Sequence, residues 1–192
     1  VLGQYYFGKN GRNNLIENCH VSGKVIPDIN GGNSSIDYFG GMIGALSCNN
    51  HYGQGQGKSV NLTLINCSSS VCIYGRNSYC SGLIGPYAAR YGGSLYIKNC
   101  FSSGSGYTYS GYYGGLVGSN SGNYNGRITI EDSYTTHNIG RYSGGLLSHI
   151  IVNPNSESSV HRFGRVSVKN SYSLGYINVP GGTDPAETDN YQ

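Results

Sequence analysis

One phrase recurs five times along the chain, and no other feature restricts its folding as strongly. The copies are LIENCHVSG from Leu15, LTLINCSSS from Leu62, LYIKNCFSS from Leu95, ITIEDSYTT from Ile128 and VSVKNSYSL from Val166. Anchored on Asn18, Asn66, Asn99, Asp132 and Asn170, they lie 48, 33, 33 and 38 residues apart. A second phrase alternates with the first: GGMIG at 40–44, SGLIG at 81–85, GGLVG at 114–118 and a weaker SGGLLS at 143–148. A unit of this size cannot bury its apolar face alone, so each copy has to stack on its neighbours.

The anchor sets a register. Four residues before it stand Asn14, Leu62, Leu95, Ile128 and Val166, and two before it Ile16, Leu64, Ile97, Ile130 and Val168. Side chains alternate along a strand, so both sets share one face, the inner one. Glu17, Ile65, Lys98, Glu131 and Lys169 then point outward, and stacking turns Lys98, Glu131 and Lys169 into a ladder of alternating sign. The anchor column is expected at the inner end of the strand or in the turn, its amides bonding along the stack. The following columns are Cys19, Cys67, Cys100, Ser133, Ser171 and then His20, Ser68, Phe101, Tyr134, Tyr172. The Gly-rich phrase supplies a further apolar strand per repeat, with insertions near 26–38, 49–59 and 151–162. The reading is all-β: a parallel β-solenoid (β-helix) of about five rungs over residues 1–179, followed by an acidic tail at 180–192.

Composition narrows the function. The 192 residues include 32 Gly and 19 Tyr, and the formal net charge of +3 gives no footprint for nucleic acid. No apolar run is long enough to span a membrane. The five histidines form no ligand set with acids or cysteines, and Asp28, Asp37, Asp132 and Glu157 are scattered over different turns. Neither a metal, a cofactor nor a catalytic group is expected. An even set of six cysteines (Cys19, Cys48, Cys67, Cys72, Cys80, Cys100) without metal spacing suggests an oxidising compartment and six oxidised thiols. The pairing stays open: Cys72 and Cys80 flank a short loop, and Cys67 has Cys19 and Cys100 in its own column. Of three glycosylation sequons, those at Asn33 and Asn61 are the accessible acceptors, whereas Asn66 belongs to the anchor column and is expected to be buried.

GGLVGSNSG followed by RITIEDSYTTHNIGRYSGGLL closely resembles the GLUG repeat of secreted and cell-surface proteins, adhesins among them. The resemblance extends from about residue 3 to residue 179. It implies a β-solenoid in an extracellular setting and no activity of its own.

With strand edges open at both ends of such a stack, the chain reads as an extracellular structural protein. It would be one subunit of a filament or surface fibre built head to tail from copies of itself. The alternative is a surface adhesin module that binds glycans through Tyr-rich loops. Tyr107, Tyr109, Tyr112 and Tyr113 would form its contact surface, since an amphipathic ring can stack on a sugar.

Overall fold

The strands of the recurring phrase lie side by side, in the register the anchor residues define. The structure is a computed structural model, and it describes residues 13–26, 37–45, 47–49, 60–75, 78–108, 111–138, 143–149 and 164–175. The first sheet holds β1 (Asn13–Glu17), β4 (Asn61–Ile65), β7 (Ser94–Lys98), β11 (Arg127–Glu131) and β14 (Arg165–Lys169), in that order and all parallel. The second holds β2 (His20–Val25), β5 (Ser68–Gly75), β8 (Phe101–Ser102), β12 (Tyr134–Thr135) and β15 (Tyr172–Ser173), with β9 (Gly106–Thr108) also paired to β5. The third holds β3 (Asp37–Gly40), β6 (Ser78–Ser81), β10 (Tyr113–Gly114) and β13 (Ser143–Gly144). The protein is all-β, its strands gathered in parallel sheets, and the described residues contain no helix. The insertions expected near 26–38, 49–59 and 151–162 fall largely outside the described residues, as does the acidic tail.

The pairing Asn14–Leu62–Leu95–Ile128–Val166 and its companion through Ile16, Leu64, Ile97, Ile130 and Val168 run through the whole first sheet. In the three middle repeats these residues are at most 1% exposed and form the floor of the main core. The Gly-rich phrase closes that core from the other side. Ile43, Ile84, Val117 and Leu147 bridge one another in parallel, and Met42, Leu83 and Leu116 pack beside them. β1 departs from the pattern, because its inner position is Asn14, whose Nδ2 donates to the Asn61 carbonyl at 3.1 Å.

The anchor residues are corners. Asn18, Asn66, Asn99, Asp132 and Asn170 all have φ between 49° and 55°, the left-handed region. Asn and Asp tolerate that conformation better than other residues with a Cβ, which explains why Asp replaces Asn at 132 and no apolar residue occurs in the column. The turn throws these side chains outward, so all five are exposed. The expectation that Asn66 is buried is therefore corrected. The amide ladder forms on the outside: Asn66 Nδ2 donates to Asn18 Oδ1 at 3.2 Å, and Asn170 Nδ2 to Asp132 Oδ1 at 3.0 Å. Lys98 Nζ lies 4.0 Å from Glu131 Oε2, which also accepts a 2.8 Å bond from Tyr96. An exposed pair of this kind is worth a fraction of about 1 kcal/mol, so it selects register more than it stabilises.

Candidate functional site

Three groups of residues invite a functional reading: the cysteines, the tyrosines and the outer edges of the sheets. The six cysteines are free thiols. Their expected oxidation finds no support in the structure, and for Cys19, Cys67 and Cys100 the small column after the anchor shows what the side chain does instead. Cys19, Cys67 and Cys100 each donate to the carbonyl two residues back, at 3.3, 3.2 and 3.2 Å. Ser133 and Ser171 make the same bond at 2.6 and 2.8 Å. Three of these side chains also accept from the backbone of the preceding repeat: Cys67 N–H donates to Cys100 Sγ, Cys100 N–H to Ser133 Oγ, and Ser133 N–H to Ser171 Oγ. The column wants a small side chain with one donor and one acceptor, and Cys and Ser both qualify.

Burial makes three of the thiols inert. It pushes the thiol of Cys48 up to about 12 and that of Cys100 up to about 11, and it raises Cys67. A thiol that does not ionise neither attacks nor is labelled readily. With an aromatic disulfide reagent near neutral pH, exposed Cys19 should react first and half-buried Cys72 next. Cys48, Cys67, Cys80 and Cys100 should react only after denaturation, giving six thiols in total. Fewer than six in the unreduced, denatured protein would restore the disulfide reading.

The tyrosines proposed as one contact surface are divided. Tyr107 lies in β9, and Tyr109 falls outside the described residues. Tyr112 is half-buried on the outside, whereas Tyr113 is fully buried and offers nothing to a ligand. Alternation along β10 and the residue before it imposes the split. Tyr113 takes the inner place held by Phe39 and Cys80 in the earlier repeats. Its hydroxyl lies 2.9 Å from His137 Nδ1, and burial raises its pKa well above the usual phenol value, helped by Cys80 and Cys72.

His137 fills a place between glycines. A Cβ at Gly104 would approach the ring's Cε1 to 3.3 Å, and one at Gly175 would strike the His137 carbonyl. Gly82 and Gly104 leave room for the imidazole, and Gly175 for the His137 backbone. His137 N–H donates to Thr135 Oγ1 at 3.2 Å, and Nε2 is buried without a hydrogen-bond partner. Burial lowers its pKa to about 4.

The outer tyrosines form a strip that motif reading passed over. Tyr38, Tyr79 and Tyr112 occupy equivalent positions in successive repeats and stack at 5.7 and 5.4 Å between ring centroids. His149 continues the stack at 4.9 Å from Tyr112. Beside it, Tyr91 and Tyr124 stack at 4.5 Å, and the Arg90 guanidinium sits 4.9–5.0 Å from the rings of Tyr87, Tyr91 and Tyr124. Phe101, Tyr134 and Tyr172 make a third stack along the second sheet. In each case the ring faces are turned toward one another. The signal was present in the sequence, for Tyr38, Tyr79 and Tyr112 stand at one fixed place, three residues before Gly41, Gly82 and Gly115, the second position of each Gly-rich phrase.

The glycosylation candidates separate as well. Asn33 lies outside the described residues. Asn61 is half-buried, and its Nδ2 donates to Asn13 Oδ1 at 2.8 Å.

Among the described residues the core is open at its edges. Val166 and Val168 continue the two inner columns, yet they are 40% and 44% exposed, and every residue of β14 is exposed. Tyr172 and Leu174 beyond it are exposed too. At the opposite edge β1 alternates between exposed and half-buried, and β2 is exposed except at half-buried Val21 and Val25. Among the described residues no helix is long and apolar enough to cross a membrane. Neither family models, characterised proteins nor solved structures match this chain.

Proposed function

We propose that the chain is a β-solenoid of five rungs, built from GLUG-like repeats, that serves outside the cell as a structural module and assembles end to end. The observation that carries the reading is the open edge at β14. Two inner columns that are dry through the middle repeats end in valines 40% and 44% exposed. Among the described residues β14 pairs with β11 alone, and an edge strand above exposed apolar side chains is a template for another strand. The extracellular setting rests on the likeness of GGLVGSNSG and RITIEDSYTTHNIGRYSGGLL to GLUG repeats, and no longer on the cysteines. The glycan-binding alternative has weaker support, because the outer rings spend their faces on each other and Tyr113 is buried.

Negative-stain electron microscopy of the undenatured protein tests the reading. Unbranched filaments with an axial repeat near 24 Å are expected, about five rungs at roughly 4.8 Å each. Dispersed monomers at high concentration would overturn it.

A further inference from the structure

Every lateral pattern in the repeats has a direction, and the two open edges fit each other in that direction. We propose that β14 and β15 of one copy pair in register with β1 and β2 of the next, Lys169 lying opposite Glu17, Asn170 opposite Asn18 and Ser171 opposite Cys19. This junction rests on the end-to-end reading above and specifies its contacts.

Charge supports the pairing first. Lys98 and Glu131 face each other across adjacent repeats, and Glu131 is in register with Lys169. Glu17 would be the next member of the alternating column. Among the described residues of its own chain, Glu17 has only apolar Ile65 as its neighbour in register. One end of the column thus presents a cation and the other an anion, and like-charge juxtaposition is avoided.

Hydrogen bonding gives the same register independently. At two junctions the Asn of the later repeat donates its amide to the earlier anchor residue, so Asn18 of the next copy would donate to Asn170. Backbone bonds run the other way, from the earlier repeat to the later: Asn18 N–H donates to Ile65 O, Asn66 N–H to Lys98 O and Asp132 N–H to Lys169 O. Asn170 N–H would find Glu17 O. In the small column the backbone of the earlier repeat donates to the later side chain, which places Cys19 Sγ over Ser171 N–H.

The apolar content of the junction is asymmetric. Val168 would meet Ile16, while Val166 would meet Asn14, an amide at an otherwise apolar position. Because Asn14 already donates to the Asn61 carbonyl, its polar group enters the junction satisfied. The ring of Tyr172 would extend the Phe101–Tyr134 stack onto His20.

The test combines a charge reversal with a cross-link. E17K sets two cations opposite each other and should raise the concentration needed for assembly by about tenfold, with the urea midpoint of the unassembled protein unchanged. In a C67S background, S171C should join Cys19 of the next copy under mild copper–phenanthroline oxidation, since the distance between neighbouring strands suits a disulfide. The product is a ladder of reducible multimers on a denaturing gel. Y172C, one residue along and on the other face, should give no ladder. If the wild type assembles but E17K assembles equally well, or S171C yields no ladder, this register is wrong while the end-to-end reading stands. If the wild type stays monomeric at all concentrations, both fall together.

Discussion

Replacing Gly82 by alanine is expected to cost about 4 kcal/mol or more, and the melting temperature should fall by roughly 10 °C. A methyl group there would run into the Gly115 carbonyl and lie 2.5 Å from His137 Nε2 and 2.7 Å from Ser102 Oγ. None of these groups can yield cheaply. Gly115 belongs to the next repeat, whose backbone spacing is set by parallel pairing, and Gly82 N–H itself donates to the Gly114 carbonyl. Ser102 Oγ already donates to the Gly115 carbonyl at 2.5 Å. His137 is held on its other side by Tyr113. Thermal or urea unfolding of G82A measures the effect. A loss below 1 kcal/mol would mean that the sheets do not approach as closely as described.

Acid is expected to weaken the fold through one residue. His137 has a folded pKa of about 4 against 6.5 for the free side chain, because burial penalises the imidazolium. The unfolded chain therefore binds the proton more readily. His137 costs nothing above pH 6.5, stability falls as pH drops below that value, and the loss is complete near pH 4. The full loss is about 3 kcal/mol, of which about 2.5 is reached at pH 4.5. Urea midpoints measured at pH 7 and pH 4.5 should differ accordingly. In H137Q, which cannot ionise, this part of the difference should vanish. An unchanged pH difference in H137Q would assign the acid sensitivity to the carboxylates instead.

The register of the first two sheets was legible because each repeat has a countable anchor. Counting back two and four from Asn66 or Asn99 gives the buried residues, since alternation holds without interruption over a five-residue strand. The same counting predicted that Glu131 would stand between Lys98 and Lys169. What escaped was decided by the corner itself. Nothing in the letter Asn distinguishes an amide stacked inside from one expelled by a positive φ, and the second proved correct for all five repeats. The cysteines misled for a related reason. Paired with serines in one column, they mark a hydrogen-bonding position, whereas an even count encouraged a redox interpretation. Tyr112 and Tyr113 were grouped as a loop although they adjoin Gly114 and Gly115. Aligning them with Tyr38–Phe39 and Tyr79–Cys80 would have placed one ring outside and the other inside. The His137–Tyr113 contact had no such signal, because it joins the second sheet to the third across the core.

All the strand partners lie far apart in sequence, between 30 residues for Tyr113–Ser143 and 48 for Asn13–Asn61. Among the described residues no hairpin offers an easy first contact, so their folding must begin by closing a long loop. The loop lengths differ too little to choose the starting place, since closing 48 residues rather than 30 costs only about 0.4 kcal/mol more. Apolar gain decides instead, which favours β4, β7 and β11, where every inner residue is dry. Order should spread outward from there, and the outermost strands should be the last to form and the first to exchange their amide hydrogens. The similarity of the repeats adds a hazard. A strand that skips its neighbour and pairs one repeat further on still finds an Asn corner, a small hydrogen-bonding side chain and two apolar partners. Such a mispaired chain is nearly as content as the native one, so it can escape only by unzipping, and dilution does nothing to release it.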